Sequence, residues 1–569
     1  MPPEDASSDL ERLSARLTEL ERRLSALEHP WRINSPHTEQ PAAPATANLG
    51  PGEALSVQPQ PSVFSVFGRA VLGIAGAYLL RAAAESGTLP PRIAVALALA
   101  YAAGWLVWAA WPRVQSQLAR NSYAFTAALI LSPLLWETTV RFRILEPPVT
   151  AAVLAAFALL AMILAWRRNV AAVICVGMIT AVITTLILMV ATRALAPFTL
   201  AFLVMALLSE FAAGRGRWSA LRPLVAAAAD FAALMLIIIL GDSAAIPPDY
   251  HPVAGGVMIA LVAALFVIYA VSLAIRSLIL RRKITGFDAA QLVATVLLAG
   301  WAVLRITHGA GTFALGVSCL IAGAACYFAA FGLLARHRER PNFRFYAACG
   351  VAFVMAGSFF VLPSPALVIW LCLAAVIATA LGVHARSPAL DLHGVVYLSG
   401  AVSASGLLEY AGRALAGSYP PAPGALPILA AAAALLSTAM VSRYPGEHWG
   451  ERLLRLLPAI LAVYALAALA VGALVWLIAR GAAPALPQLA VIRTIVTCAA
   501  ALLLAFTGAR WKRLELVWMA YAAAVLGSLK LVFEDLRFGS TQSLAVSLLI
   551  YGTVLILIPR LVRAGKRWA

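Results

Sequence analysis

Leu10, Leu13, Leu17, Leu20, Leu24 and Leu27 alternate spacings of three and four residues, which is the a/d seam of a coiled coil about three heptads long. With Leu10 at a, Arg16 and Arg23 take g positions, and Glu21 and Glu28 take the following e positions. In a parallel pair each Arg meets a Glu of the other chain. Residues 1–29 are therefore expected to form a cytoplasmic coiled-coil helix through which the chain self-associates as a homo-oligomer. A single amphipathic helix lying on a membrane, or on the protein's own surface, would carry the same pattern. The periodicity stops at Pro30, and residues 30–62 are rich in Pro, Ala, Ser and Gln. That composition buries too little apolar surface to offset the entropy of ordering. It predicts a flexible linker with a span on the order of 30 Å.

From residue 63 the pattern changes to apolar runs of about twenty residues, the length that crosses a hydrocarbon core as a helix. Eighteen such spans can be marked between 63 and 560, separated by short breaks carrying Pro, Gly or Arg. The least apolar are 121–139, which holds Pro133 and Glu137, and 390–412, rich in Gly and Ser. The expected fold is an all-α, polytopic membrane bundle over residues 63–562, followed by a basic cytoplasmic tail at 563–569. The first thirty residues lack the basic and apolar regions of a secretory signal, so the first span is expected to act as its own insertion signal.

Composition agrees with this pattern. Of 569 residues, 62% are hydrophobic and 12% charged, against about half and about a quarter in soluble domains. The net charge of +18 is spread over breaks between spans rather than gathered into a basic, aromatic-interleaved stripe, which argues against a nucleic-acid partner. Breaks after even-numbered spans, with the C-terminal tail, hold about 26 Lys and Arg, and those after odd-numbered spans about 10. Positive residues favour the cytoplasmic side, so both termini are expected in the cytoplasm and the protein in a bacterial inner membrane. No break exceeds about fifteen residues by this count, which leaves no room for a folded extracytoplasmic domain.

Ionisable side chains inside a span are costly and point to function or to a partner. Four odd-numbered spans end with opposite charges four residues apart: Arg81/Glu85, Glu137/Arg141, Glu409/Arg413 and Lys530/Glu534, the last followed by Asp535. That spacing puts each pair on one helical face. If these spans are neighbours, the charges line a polar vestibule on the outer side; singly, each side chain could instead snorkel to headgroups. Asp230, Arg493 and Arg69 sit deeper. A buried Asp230–Arg ion pair and a role for Asp230 in proton or ion coupling are the two readings. Glu210 is expected to pair with Arg215 or Arg217. The six cysteines lie in apolar runs without a CxxC spacing and read as small core residues. No HExxH, HxxxD or clustered-carboxylate pattern suggests a metal. The glycines at Gly73–Gly76 and Gly309–Gly311 follow no strand, so no nucleotide loop and no cofactor is expected.

The span end Gly73-Ile-Ala-Gly-Ala-Tyr-Leu-Leu-Arg81-Ala-Ala-Ala-Glu85-Ser-Gly87 and the C-terminal run Lys530-Leu-Val-Phe-Glu-Asp535-Leu resemble motifs of a bacterial family of large multi-pass membrane proteins, the domain of unknown function 2339. Arg81 stands where Lys is usual, and Phe533 falls one place late. The resemblance extends over residues 1–87 and 515–562 and implies the coiled coil, linker and helical array already read from the pattern. It implies no activity. The function expected first is therefore a transporter or flippase-like protein with a charged vestibule, acting on a small molecule or lipid. A membrane scaffold assembled through the coiled coil comes second, and an enzyme acting on lipid-linked substrates third.

Overall fold

Pro90, Pro147, Pro223, Pro365 and Pro388 stand at or beside the first residues of helices, where a missing N–H costs nothing and the fixed φ suits the first turn. Asn169, Arg193 and Arg386 close helices in the left-handed conformation, which ends a helix and reverses the chain within a few residues. A computed structural model describes residues 63–86, 89–114, 116–334, 341–415, 424–444, 448–479 and 485–567. The predicted coiled coil and linker lie outside the described residues.

Among the described residues the protein is helical, with no strand. The helices are α1 (Val63–Glu85), α2 (Pro91–Ala109), α3 (Gln117–Arg141), α4 (Pro147–Arg168), α5 (Ala171–Thr192), α6 (Leu195–Gly214) and α7 (Ser219–Leu240). There follow α8 (Gly255–Ile279), α9 (Gly286–Ile306), α10 (Thr312–Leu333), α11 (Pro341–Val361), α12 (Ser364–Ala385), α13 (Pro388–Ala404) and α14 (Leu407–Leu415). The chain ends with α15 (Leu426–Arg443), α16 (Trp449–Ala479), α17 (Leu486–Arg510), α18 (Leu514–Asp535) and α19 (Thr541–Arg567). Sixteen helices among the described residues are long and apolar enough to cross a membrane. Every predicted span is helical, but two fall outside the sixteen. In α1 the apolar stretch covers only Gly68–Leu79. The predicted 390–412 span is broken into α13 and α14 at Ser405-Gly406, where Gly406 takes φ +74° and the Ser405 hydroxyl accepts from the Leu407 N–H. Within the expected basic tail at 563–569, α19 continues through Arg567, with basic residues in its last turns, where the helix dipole favours them.

Successive helices pack mainly as antiparallel hairpins, α2 on α3, α4 on α5, α6 on α7, α8 on α9, α10 on α11, α12 on α13, α15 on α16 and α17 on α18. Contacts of α1 with α3, α3 with α5, α4 with α6 and α6 with α8 join the hairpins of the N-terminal half. One continuous apolar core runs from Val66 to Ala302. The C-terminal half is divided into separate clusters, the largest under α11–α16 and another under α16–α19. Many Leu, Ile, Phe and Trp side chains remain exposed around the bundle, as lipid-facing surfaces require.

Among the described residues, four segments wind as π-helix at span ends: Glu137–Arg141, Ile275–Ile279, Phe328–Leu333 and Leu531–Asp535. A π turn bonds i to i+5 and rotates later residues off the α face, and such turns gather at functional positions. Three of the four carry the charges that organise the sites below.

Candidate functional site

The polar groups of α6–α9 form a buried, charge-balanced network. Arg222 at the start of α7 donates from Nε to Glu210 Oε1 at 2.7 Å and from Nη2 to Glu210 Oε2 at 3.1 Å. The same Nη2 donates to Asp288 Oδ1 at 2.7 Å, and Arg276 reaches that oxygen at 2.6 Å. Ser272 donates to Glu210 at 2.6 Å. Asp288 also completes a capping box with Thr285 at the start of α9, so its carboxylate is held from both sides. Two carboxylates and two guanidinium groups cancel, which a buried site needs. Glu210 therefore does not pair with Arg215 or Arg217. Arg222 sits on a rigid helix start and offers a planar fork that matches a carboxylate. Arg215 and Arg217 lie over the Trp166 ring at 5.4 and 5.1 Å instead.

Asp230 lies two turns further along α7. Its partner is not an arginine: Gln291 Nε2 donates to both carboxylate oxygens at 3.0 Å. The amide can do this because Gln291 stands one turn after Asp288 on α9, facing the alanine-rich surface of α7. The Tyr269 hydroxyl on α8 is buried and has no hydrogen-bond partner among the described residues.

A second such network joins α17, α18 and α19. Arg493 donates to Glu534 at 2.6 Å. Lys530 donates to Asp535 at 2.7 and 2.9 Å and to the Thr494 hydroxyl and Ala490 carbonyl at 2.6 Å each. Lys530 and Glu534, the expected i,i+4 pair, are 3.7 Å apart. The π turn over Leu531–Asp535 explains the change, since i to i+5 register sets Lys530 beside Asp535. All four charged side chains are no more than 9% exposed, so this group is packed against its neighbours.

One charge from each of the first two predicted pairs meets across helices. Arg81 Nη1 donates to Glu137 Oε1 at 2.6 Å, from α1 across to α3. The π turn at Glu137–Arg141 rotates Arg141 away from the Glu137 face, and its guanidinium lies 5.4 Å from the centre of the Phe142 ring. Glu85 is the last residue of α1, and its side chain lies outside the described residues. Unlike the α17–α19 group, the Arg81–Glu137 pair remains 32% and 24% exposed, because it opens into a cavity of about 470 Å³ between α1, α2 and α3. The cavity wall is otherwise mainly apolar, including Ile74, Tyr78, Ala98, Leu129 and Leu134. Pro133 also lines it; lacking an N–H, it cannot close the helix bond to Leu129.

At the other end of the same three helices, Arg69 donates to the Tyr123 hydroxyl at 3.1 Å within a second cavity of about 640 Å³. Glu409 and Arg413 pair within α14 as the spacing suggests, but 65% and 61% exposed. Sequence reasoning missed several buried polar groups, among them the Arg455–Glu515 ion pair at 2.7 Å between α16 and α18 and the two that follow. Asp391 on α13 accepts from Arg443 at 3.0 Å and from the Tyr444 hydroxyl at 2.5 Å. Tyr327 bonds His393 Nδ1 at 3.0 Å and the Tyr397 hydroxyl at 2.8 Å. The i,i+4 spacing of His393 and Tyr397 was the available signal for the second. All six cysteines are free. Among the described residues no group of His, Cys, Asp or Glu is set to hold a metal ion.

Among the described residues, fold and sites together define an all-α protein of the multi-pass membrane class, with helices of membrane-spanning length, buried charge-balanced networks, and cavities at both ends of the α1–α3 unit. No protein-family model, no curated protein and no solved structure matches the chain.

Proposed function

We propose that this is a transporter or flippase-like protein of a bacterial inner membrane, with both termini cytoplasmic, whose substrate is a lipid-like amphiphile bound between α1, α2 and α3. One observation carries the reading: a partly exposed ion pair, Arg81–Glu137, sits at one end of a cavity whose remaining wall is mainly apolar. An amphiphile with a zwitterionic or strongly dipolar head matches that wall. Its head engages the two charges, and its chain lies against Ile74, Leu129 and Leu134. The volume falls within the usual range of about 300–1,000 Å³ for ligand sites. Asp230 is the candidate coupling residue, since its carboxylate is held by a neutral amide and not by a counter-charge. With the orientation expected from the basic breaks, Arg81 and Glu137 lie on the outer side and the Glu210–Arg222 network on the cytoplasmic side. The resemblance to the domain of unknown function 2339 family belongs to the same proposal.

The test is the full chain in proteoliposomes containing a headgroup-labelled phospholipid, with transbilayer movement read from quenching by a membrane-impermeant reductant. Faster movement than in protein-free vesicles is expected. Glu137→Gln should slow it about tenfold, as loss of one charge-assisted contact would, and Ala98→Phe should block it by filling the cavity. Movement no faster than in empty vesicles would overturn the proposal.

The heptad at Leu10–Leu27 favours a second reading, a scaffold that assembles through residues 1–29. Deleting those residues should abolish a scaffold's activity while leaving transport nearly intact.

A further inference from the structure

The second cavity of the α1–α3 unit differs from the first in charge. It lies where α1 begins, α2 ends and α3 begins, and two guanidinium groups, Arg69 and Arg113, line it. No carboxylate is found among its described lining residues. The cavity thus has a formal charge of +2 where the Arg81–Glu137 cavity is neutral. The indoles of Trp108 and Trp111, both exposed, and the buried ring of Tyr123 form one wall, with Trp108 6.2 Å from Tyr123 by ring centres. Arg69 is steered into the space by its bond to the Tyr123 hydroxyl and keeps its other N–H groups for a ligand. Gly104 faces the same space, and a Cβ added there would meet no atom within 4 Å. The helix backbone is therefore open to a ligand at this point.

We propose that this cavity binds the phosphate headgroup of an anionic phospholipid from the adjoining leaflet. Arg is suited to phosphate by its planar fork of donors. Tryptophan indoles at a span end mark the depth of headgroups, and basic pockets between helices on the cytoplasmic side recognise anionic lipid. A lipid, more than a soluble phosphate, fits the apolar remainder of the wall at Val66, Val107 and Ala119. The site does not depend on the transport reading, since it holds a lipid whether or not the protein moves one.

The test is native mass spectrometry of the full-length chain released from detergent with added phosphatidylglycerol or phosphatidylcholine of identical chains. Wild type should retain phosphatidylglycerol in preference. Arg69→Gln and Arg113→Gln should each lower that retention on the order of tenfold. Gly104→Leu should lower it as far by occupying the space, with every charge kept. Arg168→Gln, at an exposed basic helix end elsewhere, should change nothing. Equal retention of both lipids would overturn the proposal. So would an equal loss in Arg168→Gln, which would indicate unspecific attraction to basic residues. Displacement by soluble glycerol 3-phosphate as readily as by lipid would also overturn it, in favour of a soluble phosphate ligand. Vesicle transport is read separately, so failure here and failure of the transport reading are distinguishable.

Discussion

Arg81–Glu137 and the Arg493–Lys530–Glu534–Asp535 group arise from the same kind of sequence feature, opposite charges one turn apart near a span end, and end in opposite environments. The first pair spans two helices and faces a cavity. The second group closes on itself, with Thr494 and the Ala490 carbonyl completing the ammonium's bonds. Arg81 and Glu137 retain exposed surface with which to meet a ligand, whereas the α17–α19 charges have spent their donors and acceptors on each other. Charge near the span ends is thus arranged in two ways in this protein: facing a cavity at Arg81–Glu137, and closed between helices at Arg493–Lys530 and at Glu210–Arg222–Asp288.

The largest effect should come from opening the clamp. Asp535→Ala strands the Lys530 ammonium in a packed site and should cost about 3–5 kcal/mol, seen as a lower unfolding midpoint in detergent and reduced membrane abundance. Replacing both partners, Lys530→Met with Asp535→Leu, should recover more than half of that, because the loss comes from the unpaired charge. Asp230→Leu leaves only the Gln291 amide without its acceptor and should cost about 1–3 kcal/mol by the same measurement. Arg81→Ala removes a partly exposed pair and should cost at most about 1 kcal/mol while slowing lipid movement severalfold. Thermal unfolding and vesicle flux measured on the same preparation separate these two effects. Glu409→Ala breaks an exposed i,i+4 pair and should change stability by no more than about 0.5 kcal/mol. A loss there as large as that of Asp535→Ala would erase the distinction between closed and open charges.

The helical array was legible because apolar run length is a local property, and each predicted span is helical. Misplaced details have local physical causes. Gly406 splits one span by taking a conformation that apolar length does not encode. Partner choice was less legible, because i,i+4 reasoning assumes an α-helix. The π turns at Glu137–Arg141 and Leu531–Asp535 shift the register by one residue, which is what separates Glu137 from Arg141 and gives Lys530 to Asp535. The Arg222, Gln291 and Arg81 contacts join residues 12, 61 and 56 positions apart, a matter of helix packing that sequence spacing does not reveal.

A difference in access separates the open Arg81–Glu137 cavity from the closed Arg493–Lys530 group. Thiol accessibility tests it most directly, with single substitutions Leu134→Cys, Glu137→Cys and Thr494→Cys in a variant lacking the six native cysteines, and Ser243→Cys as the exposed loop control. A membrane-impermeant maleimide added from outside should label Leu134→Cys, Glu137→Cys and the control, and spare Thr494→Cys. Labelling of the control alone would mean that the cavity is sealed and that Arg81–Glu137 is a second structural clamp.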